Sequence, residues 1–489
     1  MRFPIVNNKK SFLLKACLFV LFSLMTNVSF AEKQPNILFI FADDHCYEAV
    51  GAFGSEVETP HLDRLVKQGT VFNHSYNMGS WSGAVCMASR HMLITGRHLW
   101  NAYSASNNMA PEVEAGRLWP QMMQKAGYQT YMTGKWHIKA KPEDIFNVTR
   151  DPRPGMPNQT PEGYNRPKSK EDYENGWKPW DTKYEGFWKG GKHWSEIVAD
   201  HGVDYIEESK KQDKPFFMYL AFNAPHDPRQ APKKYIDMYP LDKIKLPVNF
   251  LPEYPYKDEM GSPATLRDEK LAPFPRTEFN VKVNRQEYYA LITHLDDQIG
   301  RILKALDESG EADNTYVIYT ADHGLGVGQH GLLGKQNMFD HSMRVPFIVT
   351  GPGIPKGKEI NTPIYLQDIV PTSLEIAGLK KPDHVEFKSI MPLIEGKSST
   401  QYSRMHGAYL NKQYMIRKDQ FKMIHYPLAS KFLLFNLEKD PHEMKDLSDS
   451  KEHSELLKEL KGDLTSYLDS VGGGEFPKVA KKKKPKKKK

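Results

Sequence analysis

Apolar residues run almost without a break through Asn36-Ile-Leu-Phe-Ile-Phe41, Phe216-Phe-Met-Tyr-Leu-Ala-Phe222 and Tyr316-Val-Ile-Tyr-Thr320, and more weakly through Val345-Pro-Phe-Ile-Val349. Runs of this length without alternation predict strands covered on both faces. Between them the period lengthens. Leu62 to Gln68, Arg117 to Ala126, Ser195 to Lys211, Arg285 to Glu308 and Asp368 to Ala377 carry apolar positions at helical spacing. In the long segment these are Tyr289, Leu291, Ile292, Leu295, Ile299, Ile302 and Leu306. Strands alternating with helices predict an α/β fold, with a large, mostly parallel but mixed sheet sandwiched by helices. No internal repeat interrupts that reading.

From about Tyr402 the pattern changes. Tyr414 to Arg417, Phe421 to Tyr426 and Phe432 to Leu437 predict three antiparallel strands with short turns, closed by a helix near Ser454 to Leu468. The chain thus divides into an α/β domain over 32–400, a small α+β subdomain over 401–475, and two flanking segments. One stretch, 144–194, resists assignment and reads as a loop insertion. Four of the chain's eight tryptophans (Trp177, Trp180, Trp188 and Trp194) fall in it. Flat aromatic faces there offer platforms for sugar rings, above all Trp177 and Trp180; the alternative is that they pack the loop onto the body.

Composition changes the picture at the two ends. Arg2, Lys9, Lys10 and Lys15 precede an apolar run from Ala16 to Met25, and Ser29-Phe30-Ala31 follows. That order predicts a secretory signal over 1–31, too short for a membrane anchor, so the mature chain is expected in the periplasm or outside the cell, with no membrane span. The segment 476–489 carries nine lysines and is expected to be solvated and disordered, or to hold a polyanion by charge. The leader carries four and the tail nine of the 67 basic residues, so the body has 54 against 60 acidic groups. The formal charge of +7 therefore does not describe the body, and an acidic body argues against nucleic acid as a partner. Cys46, outside the leader, reads as a small buried hydrophobe.

The candidate chemistry begins where two strands end alike. Phe41 runs into Ala42-Asp43-Asp44, and Thr320 runs into Ala321-Asp322-His323. Ligands of parallel sheets sit beyond the carboxyl ends of strands. Three carboxylates delivered there repel one another unless a hard cation joins them, and oxygen donors favour Ca²⁺ or Mg²⁺ over Zn²⁺.

The segment from Ser82 to Arg97 contains Cys86-Met-Ala-Ser-Arg90, followed five residues later by Thr95-Gly-Arg97. It resembles the signature of the formylglycine-dependent sulfatases, in the alkaline-phosphatase-like superfamily. Further elements resemble that family across most of the chain: Thr133-Gly-Lys135-Trp-His137, Ala224-Pro-His226, the block from Gly324 through Lys335, Arg344-Val-Pro346, and Asp440-Pro441 with Asp446-Leu447. Ala88 stands where the commoner form has proline, which points to a radical-type maturation enzyme as partner.

The resemblance implies a sulfuric ester hydrolase. It implies that Cys86 is oxidised to formylglycine, whose hydrate attacks sulfur beside a metal held by Asp43, Asp44, residue 86, Asp322 and His323. Family members often have Asn where His323 stands. Lys135, Lys335 and Arg90 are expected on the sulfate oxygens. His226 with Lys335 is expected to protonate the leaving oxygen, and His137 to assist release of sulfate. The leader, the aromatic loop and the lysine tail together suggest a sulfated polysaccharide or oligosaccharide as substrate. Two other readings remain open: a phosphonate or phosphodiester hydrolase of the same superfamily, and a non-catalytic carbohydrate-binding protein.

Overall fold

Every residue of Asn36–Ala42 (β1) is buried, which requires cover on both of its faces. The computed structural model describes residues 33–156 and 167–476, with Met1 and the backbone of 158–159. The expected leader and the lysine run after Phe476 otherwise lie outside the described residues. β1 is joined by Thr70–Phe72 (β2), Gln129–Lys135 (β3), Val148–Arg153 (β4), Phe216–Ala221 (β5), Thr315–Ala321 (β6), Phe347–Thr350 (β7) and Lys358–Ile360 (β8). Across the sheet the order is β8-β2-β7-β6-β1-β5-β3-β4. The five strands from β6 to β4 are parallel; β7 alone runs against them, antiparallel to both β6 and β2, and β8 is parallel to β2.

Helices Pro60–Gln68 (α1), Trp194–Ser209 (α4) and Glu278–Ser309 (α5) cover one face; Val85–Thr95 (α2), Trp119–Lys125 (α3) and Ile369–Ile376 (α6) cover the other. On the first face Gly202 of α4 lets the helix close on the sheet, because a Cβ there would stand 2.9 Å from Leu220 Cδ1. On the second, Trp119 meets Phe39 and Phe217 at ring distances of 5.1 and 4.8 Å and donates through Nε1 to Ser373 Oγ at 2.7 Å. The long helix α5 starts at Glu278, two turns before the predicted Arg285. Thr277 caps it, its hydroxyl accepting from the Asn280 amide at 3.2 Å, and Gly310 at φ +79° ends it.

Several stretches depart from the sequence reading. β2 and β3 are not among the predicted strands, since neither carries a long apolar run. The 144–194 segment does contain a strand, β4, at the sheet edge; Pro152 hides it, since proline interrupts a ladder and is tolerated only at edges and bulges. The sheet made by the C-terminal residues has five strands, not three. Met405–Tyr409 precedes the expected Gln413–Lys418, Phe421–Tyr426 and Lys431–Asn436, and Gly79–Ser80 adds a fifth, parallel strand from far earlier in the chain. The core beneath this sheet mixes Met415, Ile424 and Leu434 with Val85, Ala88 and Met92 of α2. Ser454–Ser470 closes it.

Candidate active site

Strand register builds the site. Ala42 and Ala321 are partners in the parallel pairing of β1 and β6, so Asp43 and Asp322 leave the sheet side by side. Asp43 donates its amide to Ala224 O at 3.0 Å, and Asp44 donates its amide to Asp322 Oδ1 at 3.2 Å. On the other side of β5, Gly134 pairs with Ala221, and a Cβ at 134 would come within 1.8 Å of Ala221 O. Only glycine, here at φ +88°, brings Lys135 so close to the neighbouring strand end. Asp44 and His137 also hold left-handed backbone, at φ +67° and +56°. Such strain in residues with side chains gathers where function overrides local preference.

Cys86 is the second residue of α2 and is 2 % exposed. Its thiol donates to Asp43 Oδ1 at 3.1 Å and lies 3.5 Å from Asp44 Oδ1. Lys335 donates through Nζ to Cys86 Sγ at 3.0 Å and to Asp44 Oδ2 at 2.5 Å, while Lys135 pairs with Asp43. Arg90, one turn along α2, donates through Nε to Asp322 Oδ2 at 2.9 Å and through Nη1 to Lys135 O at 2.8 Å. Its Cζ sits 4.7 Å from the Phe41 ring centroid. Two of its nitrogens are committed, leaving Nη2 as a buried donor without a partner.

His226 faces the cluster from the loop after β5. Its Nε2 is 3.5 Å from Asp44 Oδ2, and its Nδ1 is 2.6 Å from Asp227 O and 3.1 Å from Asp227 Oδ1. His137 and His323 each keep one buried ring nitrogen without a hydrogen-bond partner, Nδ1 and Nε2 respectively. The other nitrogen of His323, Nδ1, is 2.7 Å from Gly324 O.

Charges this close and this dry perturb one another. Burial, then the Asp322 charge, pushes the Asp43 carboxyl up, and burial lifts Asp44 to about 6 against the pull of Lys335. For Asp322 burial also pushes upward, but Arg90, Lys135 and Lys335 prevail and hold it well below the usual carboxylate range. Burial, followed by the three carboxylates, drives the Cys86 thiol well above its ordinary value, so the unmodified side chain is a poor nucleophile. Burial lowers His226, with Lys335 adding to the effect and Asp227 opposing it.

The cluster fits a hard divalent cation. Asp43, Asp44, Cys86 and His226 each offer a ligand atom, all within 4.8 Å of one another. His226, read from the sequence as an acid, joins that set, whereas Asp322 and His323 fall outside it, with Asp322 engaged by Arg90. The unpartnered Nε2 of buried His323 is the kind of orphan a metal satisfies. Another group of potential ligands among the described residues, His61, Asp296 and Asp297, belongs to the fold: Asp296 caps α1 by accepting from the His61 and Leu62 amides.

The expectation for Trp177 is corrected. It is 4 % exposed, meets the Tyr184 ring at 4.8 Å with the planes tilted, and donates through Nε1 to Glu287 Oε1 at 2.9 Å, so it packs the loop down and presents no open face. Trp180 is half-buried under Lys178 and Lys233, and Trp194 is buried beneath Arg153. Sequence reasoning missed three supporting residues. Asp227 backs His226, Tyr288 donates to Asp44 O at 2.7 Å, and Asn77 donates to Asp322 O at 2.5 Å. Asp227 was in reach, being adjacent to His226; nothing local marks the other two.

A mixed sheet whose carboxyl edge gathers acids and lysines around a cysteine at a helix start defines a hydrolase of the alkaline-phosphatase-like class. Within it the chain belongs to the sulfatase family, matching the sulfatase description over residues 35–379 and the C-terminal N-sulphoglucosamine sulphohydrolase description over 328–469. It is thereby a sulfuric ester hydrolase. An arylsulfatase of Clostridium perfringens is 29 % identical, the match covering 89 % of this chain and 96 % of that one. An N-acetylglucosamine-6-O-sulfatase of Bacteroides thetaiotaomicron is 25 % identical, covering 88 % and 85 %. Two solved structures share the fold. One, bound to D-glucosamine-2-N,6-O-disulfate, gives a TM-score of 0.69 at 23 % identity and covers 90 % of this chain and 98 % of its own. The other, a phosphonate monoester hydrolase of Silicibacter pomeroyi, gives 0.71 at 20 %, covering 90 % and 96 %.

Proposed function

We propose that this enzyme removes sulfate from a sulfated carbohydrate, with oxidised Cys86 as nucleophile beside Ca²⁺ or Mg²⁺. The observation that carries the reading is the convergence of Asp43, Asp44 and Lys335 on Cys86 Sγ within 3.5 Å. A sulfate monoester is an anion with a poor leaving group, so its cleavage needs cations, a strong nucleophile and an acid. Asp43, Asp44, residue 86, Asp322 and His323 would hold the cation, which would supply Lewis-acid stabilisation, while the hydrated aldehyde of a modified residue 86 would supply the attacking hydroxyl.

The chain's own residues do the rest. Lys135 and Lys335, both buried, hold the ester oxygens and offset the charge that develops on them. Arg90 fixes Asp322 and the end of β3, with Nη2 left to meet the ester. Asp227 faces Nδ1 of His226, which fixes the ring and directs Nε2 toward the leaving oxygen for proton delivery. His137 stands ready to take a proton during sulfate release. The carbohydrate class draws support from the relative that is an N-acetylglucosamine-6-O-sulfatase.

Export through residues 1–31 and modification by a maturase acting on the Cys86 segment belong to the same proposal; no described helix is long and apolar enough to cross a membrane. The shared fold of the phosphonate monoester hydrolase keeps one rival in view. Protein produced with an anaerobic maturase is treated with an aldehyde-reactive probe and given 4-nitrophenyl sulfate, 4-nitrophenyl phenylphosphonate and a panel of sulfated oligosaccharides. Labelling at residue 86 with preferred turnover of sulfate esters is the expected result. A preference for the phosphonate, or an unmodified residue 86 in active protein, overturns the reading.

A further inference from the structure

At the start of α2, the helix that carries Cys86, lies a cavity of about 430 Å³, within the range that holds small ligands. Its wall includes Ser82 and Met87, which bracket Cys86 in the chain, and the 410–412 turn of the C-terminal sheet. Trp81, Tyr103 and Phe476 supply aromatic surface. Phe476 is held in place: it stacks on Trp100 at 5.4 Å and donates its amide to Asn411 Oδ1 at 2.9 Å. Trp81 and Tyr103 meet edge to face at 5.7 Å.

Two cations stand on this wall, Lys139 and Lys412. Among the described residues no carboxylate lies within ion-pair reach of either ammonium. Lys139 is tied to the catalytic helix, since its amide donates to His91 Nε2 at 3.4 Å and His91 Nδ1 bonds Met87 O at 2.7 Å. The stem of Lys412 lies against Gly261, where a Cβ would come within 2.7 Å of its Cδ. Ammoniums without a carboxylate partner on a wall that also carries aromatic side chains suit a ring that is itself anionic. The lysine run of 476–489 follows directly on Phe476, so the cavity sits at the root of the most cationic segment of the sequence.

We propose that this cavity is a second saccharide subsite, which takes a sulfated or carboxylated ring joined to the ring whose ester is cleaved, with Lys139 and Lys412 reading its charge. The proposal rests on the sulfatase reading and names the substrate more narrowly: an oligosaccharide carrying anionic groups on adjacent rings.

The test is the double variant Lys139→Gln/Lys412→Gln beside the Lys→Arg pair. Each is assayed with 4-nitrophenyl sulfate, a disaccharide sulfated on one ring, and a disaccharide sulfated on both. The expected result is a fall in kcat/KM of about tenfold or more, carried by KM, for the doubly sulfated disaccharide alone, with 4-nitrophenyl sulfate unchanged within about twofold and arginine restoring the rate. An equal effect on all three substrates, or none, overturns the subsite. Calorimetric titration of the doubly sulfated disaccharide into Cys86→Ala protein, with and without the glutamine pair, needs no turnover. Lysine-dependent binding there without turnover of any sulfate ester by the mature enzyme sinks the sulfatase reading and leaves the subsite. Turnover of 4-nitrophenyl sulfate with lysine-independent binding sinks the subsite and leaves the reading.

Discussion

Lys335 Nζ lies 3.0 Å from Cys86 Sγ, and the same ammonium donates to Asp44 Oδ2 at 2.5 Å. One cation therefore joins the reacting position to the acidic cluster. Buried among Asp44, Cys86 and Asp43, it holds its proton far above the ordinary lysine range although burial opposes this, so it stays a cation at any working pH.

Lys335→Met is expected to lower kcat by about 10²–10³-fold, the effect of deleting one donor aimed at developing charge. Steady-state kinetics on 4-nitrophenyl sulfate measure it. Mass spectrometry of the residue 86 peptide checks that modification is unchanged, so a loss of aldehyde alone would account for the result differently.

Cys86→Ser is expected to react once and stop. A serine has a single hydroxyl, so after sulfur transfer nothing remains on that carbon to expel sulfate. Intact-mass measurement after incubation with substrate should find one added SO₃ at residue 86. Multiple turnovers by this variant would contradict the role given to the modification.

Removing divalent ions with a chelator should abolish turnover, and Ca²⁺ or Mg²⁺ should restore it. Because Asp43, Asp44 and Asp322 repel one another when dry, the ion should also stabilise the fold, by about 2.7 kcal/mol at a hundred times its Kd. Thermal melts with and without Ca²⁺ measure this. Asp43→Asn should abolish the Ca²⁺-dependent part of the shift.

Lys422 is fully buried between Asp340 and Glu443 and also donates to Met338 O at 3.0 Å. Lys422→Met strands two acids in the second core, and breaking a buried pair from one side costs about 3–5 kcal/mol. Urea denaturation is expected to show that loss. A double variant that also replaces Asp340 with Asn should recover part of it.

The Glu48–His442 pair, at 3.5 Å, fastens the C-terminal turn to the loop after β1. Its hydrogen bond to Glu48 raises His442 above 6.5, so that half of the stabilisation is complete below 6.5 and fades as pH climbs through the raised value. Partial desolvation pushes the Glu48 carboxyl upward, yet His442 and Gln329 hold it below 4.5, so its half is complete above 4.5 and fades as pH falls through the lowered value. Melting-temperature differences between wild type and His442→Gln should peak between pH 4.5 and 6.5. Both groups are more than a third exposed, so the effect stays within roughly 1 kcal/mol.

Strands that form unbroken apolar runs were readable, whereas β3, buried along all but its first residue, was not, because Thr130, Thr133, Gly134 and Lys135 break its run. β1, β5 and β6 are continuous apolar runs because neither face meets water, and the acids that follow them were recognisable as the carboxyl edge. β4 was not readable, because an edge strand with Pro152 has neither apolar continuity nor alternation. Gly79–Ser80 was invisible for a different reason: a two-residue strand is defined by its partner and carries no pattern of its own. In the site, Asp43, Asp44, Cys86, Lys135, His226, Asp322 and Lys335 were singled out from motifs and do converge. Tyr288 was lost in a helix whose apolar face it continues, and only the fold reveals that its hydroxyl reaches Asp44 O. Trp177 misled because aromatic content reports neither direction nor depth.

The pairing of Gly79–Ser80 with Ala408 and Tyr409 sets a deadline for chemistry at residue 86. Backbone bonds from Ala408 to Met78 O at 3.0 Å and from Leu410 to Ser80 O at 2.8 Å clamp the approach to the helix start, and they form only after most of the chain has been synthesised. Under the proposed modification, a maturase would meet an open Cys86 only before that closure. Thiol left unoxidised by then would be locked away, so the active fraction of a preparation would be decided by a race between modification and the folding of the C-terminal sheet.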